Sequence, residues 1–317
     1  MKCYHHNTRH FLAIKFGTTI AATLTACLLL TGCGPSGSSD GRGGSDTAKK
    51  VTIQNKGSDT MVNLAQAWAE EYHKVAPDVD VEISGGGSGV GIAALTKGTI
   101  DIANASRNMK PDETEQAKKN TGKEPKEFIV GYDALAIYVH KDNPLNEITL
   151  DQIAQIYAEG GKITKWSDLG VTIPGVSSDE VVRVSRQSSS GTYEFLREHV
   201  LNKKDFKLGS RDMNGSKEVV DLVGSTPTAI GYSGMGYATP AVKMLKVKKT
   251  ANDPACEPSV ANTLSKSYPI ARSLQVYTLG EPEGAVKDYV HWMMSEAGQR
   301  IVEATGYVPL PANSRVK

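Results

Sequence analysis

From Val51 onward the chain repeats one unit: a short strand, a turn of glycine and hydroxyl residues, and an amphipathic helix. That alternation predicts parallel βαβ units with helices covering a sheet. Val51–Asn55 reads as the first strand, and Lys56-Gly57-Ser58-Asp59 leads into a helix. Met61, Leu64, Ala65, Trp68, Ala69 and Tyr72 form one apolar stripe on that helix. Val79–Ile83 alternates as a second strand, a glycine-rich turn opens a helix running to about Lys97, and Thr99–Ala103 returns as a third. Two apolar runs, Phe128–Val139 and Ser267–Tyr277, are longer than one compact strand needs and read as crossings between two lobes. Thr149-Leu-Asp-Gln152 has the form of a capping box opening a helix through Tyr157, and Val181–Val184 reads as a buried strand. Helices near Glu283–Met294 and Glu296–Ala304 would close back over the first lobe.

Ahead of this pattern lies a segment of another kind. Lys2, Arg9 and Lys15 precede the apolar run Thr18–Leu30, about half the length a spanning helix needs, as in a secretory signal. Leu30-Thr31-Gly32-Cys33 resembles the lipobox read by bacterial lipoprotein signal peptidase. It predicts a signal peptide over residues 1–32 and a lipidated Cys33. Residues 33–50, rich in Gly, Ser and Asp, read as a tether spanning about 23 Å root-mean-square. With Cys33 acylated and Cys3 and Cys27 removed, Cys256 has no intramolecular partner, so neither a disulfide nor a cysteine metal site is expected. Lys and Arg number 36 against 35 Asp and Glu, a formal charge of +1 that argues against nucleic acid as a partner.

The chemistry gathers where strands meet helices, since such turns present free backbone N–H groups at the carboxyl edge of a sheet. Four turns qualify: Gly57-Ser58-Asp59-Thr60, Gly85-Gly-Gly-Ser88-Gly89, Ala105-Ser106-Arg107, and Arg186-Gln-Ser-Ser-Ser190-Gly191-Thr192. Glycine lets backbone approach a ligand, hydroxyls donate and accept, and an arginine fork matches two oxyanion oxygens. Together they suit a small tetrahedral oxyanion. Ser58, Asp59 and Thr60 read equally well as helix caps, and the glycine run lacks the Gly-Lys-[Ser/Thr] ending of a P-loop.

In this order the four segments resemble the periplasmic phosphate-binding proteins of Pst-type ABC importers, over about Val51 to Leu310. The likeness includes Lys165-Trp166, Ser185–Thr192, Ala229-Ile-Gly-Tyr232 and Ala304–Leu310, with Arg-x-x-x-Ser-Gly-Thr the most specific spacing. The resemblance implies an α/β, two-lobed periplasmic-binding-protein fold of the type II, flytrap kind with two hinge-crossing strands. Lobe 1 would hold 51–134 and 268–317, and lobe 2 would hold 135–267. It further implies phosphate binding by Ser58, Thr60, Ser88, Arg186, Ser190, Gly191 and Thr192, and Asp59 and Arg107, which lie in the same turns, join them as candidate phosphate-binding residues on this chain's own sequence. An ABC permease and ATPase would be the partners of a monomer anchored in the bacterial cell envelope, facing the periplasm or the exterior, with no cofactor.

Two positions depart from that pattern. Where familiar members carry the Asp that accepts the phosphate proton, this chain has Arg107, and where they carry the Asp that pairs with the binding arginine it has Ser188. Asp59 is the expected substitute acceptor. Sulfate and molybdate remain rival ligands because donors alone hold any tetrahedral oxyanion. A phosphate-ester hydrolase is disfavoured: Gly86-Gly-Ser-Gly-Val90 misses the nucleophile elbow, and His73, His140, His199 and His291 stand singly.

Overall fold

The computed structural model describes residues 50–316. The expected signal peptide, Cys33 with its expected lipid, and all of the expected tether but Lys50 lie outside the described residues. β1 (Val51–Gly57), α1 (Val62–Val75), β2 (Val79–Ser84), α2 (Ser88–Leu95), β3 (Ile102–Ala105) and α3 (Pro111–Thr121) realise the expected alternation. β1 pairs in parallel with both β2 and β3. The third strand begins later than the pattern predicts. Asp101 exchanges bonds with Gln54, its N–H donating to Gln54 O and its carboxylate accepting from Gln54 N, so it bends the chain before the ladder resumes.

The long apolar run is one strand, β4 (Pro125–His140). A second series follows: β5 (Glu147–Thr149), α4 (Leu150–Tyr157), β6 (Val182–Arg186), α5 (Gly191–His199), β7 (Arg211–Met213), α6 (Ser216–Ser225), β8 (Ala229–Gly234), β9 (Val242–Met244), β10 (Lys246–Lys248) and α7 (Val260–Leu264). The chain returns through β11 (Ala271–Leu279) and ends in α8 (Gly284–Met293) and α9 (Glu296–Ala304). The Thr149 capping box forms as predicted: its hydroxyl accepts from Gln152 N, and the Gln152 side chain accepts from Thr149 N.

The main sheet runs β2-β1-β3-β11-β4-β8-β6-β7, with β9 also on β4. β4 accounts for the reach of this sheet. Up to Ala134 it pairs antiparallel with β11, and from Leu135 it pairs with β8 and, from Tyr138, with β9. One strand thus passes from a first group (β1–β3, β11) to a second (β6–β8), and Ala134–Val139 is buried without interruption. β6 is parallel to β7 and β8, so the turn after β6 opens at the carboxyl end of its group just as those after β1 and β3 do.

Packing makes this junction continuous. One core, around Tyr157, Trp166 and Tyr232, fills the second group. Another, built on Leu64, Trp68 and Val276, continues through Ala136 and Tyr138 to Val184, Val219 and Val223. Trp68 lies on the predicted stripe and donates its indole N–H to Gly298 O at 2.8 Å, tying α1 to α9. The first of the four turns therefore leads into a helix clamped from behind.

Candidate functional site

The four predicted turns converge. Ser58 Oγ donates to Ser106 Oγ at 2.9 Å, and Ser106 N donates to Ser88 Oγ at 3.0 Å, joining the turns after β1, β2 and β3 into one hydroxyl cluster. The second group reaches in through α5. Thr192 Oγ1 lies 2.9 Å from Thr60 Oγ1, although 132 positions separate them in sequence. Ser58, Thr60, Ser88, Ser106, Ser190 and Thr192 are all buried.

Neither Ser58, Asp59 nor Thr60 caps α1, whose N-cap position is Met61 with no side-chain bond. Instead Asp59 spans the junction: one carboxylate oxygen accepts from Gly86 N at 2.7 Å and the other from Arg186 Nη2 at 2.9 Å. Arg186 is only 1% exposed. It also donates to Asn214 O and to Ser216 Oγ, while its buried Nε–H has no acceptor among the described residues. Burial works against the Arg186 charge and lowers its pKa, and Asp59 opposes that shift. Asp59 thus takes the counter-ion position that Ser188 cannot fill. Tyr237 donates to Asp59 O at 2.8 Å, and burial pushes that phenol up to about 12, so it remains a donor.

Ser190 is the N-cap of α5; its hydroxyl accepts from Thr192 N and Tyr193 N and keeps its own proton to give. Gly191 is set so closely that a Cβ there would lie 2.3 Å from Ser88 Oγ and 2.8 Å from Ser106 Oγ. Gly87, at φ +97°, adopts a conformation L side chains rarely take, and its Cβ would meet Ser189 O at 2.4 Å.

Arg107 stands apart from this cluster. Its guanidinium forks onto Glu113, at 2.8 and 2.7 Å, and donates to Asn108 O, and it hydrogen-bonds to none of the other predicted site residues. Burial disfavours its charge, but the Glu113 pairing outweighs this and its pKa rises. Glu113 also accepts from Lys110 N at the start of α3, so the helix terminus that follows β3 holds the arginine aside.

Two charged groups of the site went unnoticed in the sequence, Asp133 on β4 and Arg272 on β11. They face each other in register, and Arg272 Nε and Nη2 donate to Asp133 Oδ2 at 3.0 and 2.8 Å. Arg272 also donates to Thr192 Oγ1 at 3.1 Å, Thr60 Oγ1 at 3.3 Å and Ser106 O at 3.2 Å. Burial pushes the Asp133 carboxyl above the ordinary range, and Arg272 offsets only part of this. One signal was available: a single acid in one apolar crossing run and a single base in the other.

Outside the cluster Lys110, the N-cap residue of α3, pairs with Glu194 on α5 at 2.8 Å, and Gly89 N donates to Ser189 O at 2.9 Å. These contacts join the two groups at the rim. Glu194→Ala is expected to weaken ligand binding about two- to fivefold at low salt, in line with about 0.5–1 kcal/mol for a partly exposed pair. The difference should vanish at high salt, as calorimetry at two ionic strengths would read. A salt-independent loss would contradict an ion-pair latch.

Such an arrangement of hydroxyls, backbone N–H groups and a buried arginine fork offers donors to a compact anion from both strand groups. Residues 40–297 match the PBP superfamily domain. The phosphate-binding protein PstS of Pseudomonas aeruginosa is 36% identical over 271 residues, covering 82% of this chain and 83% of that protein. Its namesake in Staphylococcus saprophyticus is 31% identical over 305 residues, 93% of this chain and 89% of that one. Among solved structures, a putative phosphate ABC transporter substrate-binding protein with bound phosphate from Clostridium perfringens aligns with a TM-score of 0.72 and 31% identity. The match covers 82% of this chain and all of that one.

Proposed function

This chain belongs to the PBP superfamily, in the family of the phosphate-binding protein PstS, and we propose that it captures inorganic phosphate outside the cytoplasm and delivers it to an ABC importer. The observation that carries the reading is the junction of Thr60 with Thr192 and of Asp59 with Arg186, where donors from both strand groups meet on one small volume. We assign residues 51–134 and 268–317 to lobe 1 and 135–267 to lobe 2. Closure follows because only the closed state makes every ligand contact. Cys33 would hold the monomer to a membrane of the cell envelope through its lipid, with the tether giving the domain its reach.

Ser58, Thr60, Ser88, Ser190, Gly191 and Thr192 supply neutral donors in this reading, and Arg186 supplies the positive charge through its free Nε–H. Asp59 is the acceptor for the proton of hydrogen phosphate. Each of its oxygens accepts one bond from the protein, which leaves one lone-pair direction free on each. Arg107 shapes the wall through Glu113 and does not touch the ligand.

Calorimetry on ligand-stripped protein tests both levels. Phosphate should bind tightly and sulfate and molybdate weakly; no response to any of the three would refute the receptor reading. Asp59→Asn is expected to weaken phosphate about tenfold or more, the scale of one charge-assisted hydrogen bond, and to narrow the gap to sulfate. Unchanged phosphate affinity with sulfate still rejected would remove Asp59 from the acceptor role. Equal binding of sulfate by the unmodified protein would favour a general oxyanion receptor.

A further inference from the structure

The Asp133–Arg272 pair lies at the junction of the two crossing strands and touches hydroxyls from both sides of the cleft. Asp133 is wholly buried and the Arg272 side chain is 2% exposed. A buried pair of this kind gives little net stability, because desolvation consumes most of the attraction. What it does locally is more specific. Arg272 is held on Asp133 by two bonds to one oxygen, and its guanidinium carbon lies 5.5 Å from the centroid of the Phe195 ring. From that fixed seat it donates to Thr60 Oγ1 and to Thr192 Oγ1.

An arginine only donates, whereas a hydroxyl carries one proton and two lone pairs. Arg272 therefore fills one lone pair on each threonine. The two hydroxyls lie 2.9 Å apart, so one gives its proton to the other. The receiving oxygen then has both lone pairs occupied and can only donate. When a ligand enters, both threonine protons can turn to it.

We propose that Arg272, held by Asp133, is a positioning residue of the ligand site that fills one lone pair on each of the Thr60 and Thr192 hydroxyls and so turns both of their protons towards the ligand. This deepens the phosphate reading and rests on it. It divides the site chemically. The crossing strands thus present two aligned donors to the ligand, each hydroxyl keeping one lone pair, and Asp59 remains the acceptor for the proton of hydrogen phosphate. Because the charge of Arg272 is balanced by Asp133, the residue acts by directing protons rather than by attracting the anion.

The test is Asp133→Leu combined with Arg272→Met, which removes both charges and keeps the volume, a replacement that buried ion pairs commonly tolerate. Thermal melting of the ligand-free protein should be close to that of the unmodified protein. Phosphate affinity by calorimetry should nonetheless fall about tenfold to a hundredfold, since both hydroxyls lose the partner that orients them. Arg272→Lys is the second variant: it keeps the charge beside Asp133, but an ammonium cannot fork to the carboxylate and two hydroxyls together. It should bind phosphate more weakly by a similar factor. Either variant, folded and binding phosphate within about threefold of the unmodified protein, would overturn the proposal. Unfolding of both would assign the pair to the fold and not to the ligand. Unmodified protein that takes no tetrahedral oxyanion would instead overturn the functional reading on which this one stands.

Discussion

Arg186→Met should weaken phosphate binding about thirtyfold to several thousandfold. Truncating one partner of a buried, hydrogen-bonded charge pair costs about 2–5 kcal/mol, and every 1.4 kcal/mol is tenfold in affinity. The substitution removes the Nε–H that has no protein acceptor, and it leaves the Asp59 carboxylate facing the ligand without its cation. A dianion would then enter a site whose nearest charge repels it. Arg186→Lys should restore only part of the loss: an ammonium supplies the charge but cannot reach Asp59, Asn214 O and Ser216 in one plane. Calorimetry with phosphate reads both variants, and an Arg186→Met affinity within threefold of the unmodified protein would contradict the assignment.

The second large effect is steric. Gly191→Ala places a methyl group 2.3 Å from Ser88 Oγ and 2.8 Å from Ser106 Oγ, both on the other side of the cleft. Overpacking of this kind typically costs about 1–3 kcal/mol, or about five- to 150-fold in affinity when the cost falls on the closed state alone. Neither half of the molecule is disturbed by itself. At the first position of α5 alanine is a better helix former than glycine, so the ligand-free protein should melt at or slightly above its usual temperature. Small-angle scattering on adding phosphate should show compaction for the unmodified protein and much less for the variant. Full compaction with unchanged affinity would show that the hydroxyl cluster can relax around a methyl group.

These expectations differ in how far the sequence could have led to them. The turn Arg186–Thr192 was legible because its spacing combines an arginine, an N-cap serine and a glycine before a helix, all local features. Helix α1 and the capping box at Thr149 were legible for the same reason, since apolar period and cap chemistry depend on neighbours within four positions. Arg107 illustrates the limit. Its position in the third turn suggested a ligand contact, yet Glu113, six residues on, takes its guanidinium. Residue type and loop placement do not say which acceptor an arginine reaches first.

Asp133 and Arg272 illustrate it more strongly. They lie 139 positions apart, and each by itself reads as an anomaly within a buried strand. They come opposite each other only through the antiparallel register of β4 and β11, which runs unbroken from Ala271 to Leu274 and shifts between Leu274 and Gln275. Local propensity, periodicity and turn chemistry were therefore enough to read the α/β alternation, the long apolar runs and the four hydroxyl-bearing turns that the fold brings together from residue order alone. The partners of Asp59 and Arg272 were decided only in three dimensions. Charge pairing acts through space over a few ångströms, and the chain brings those ångströms together from positions more than a hundred residues apart.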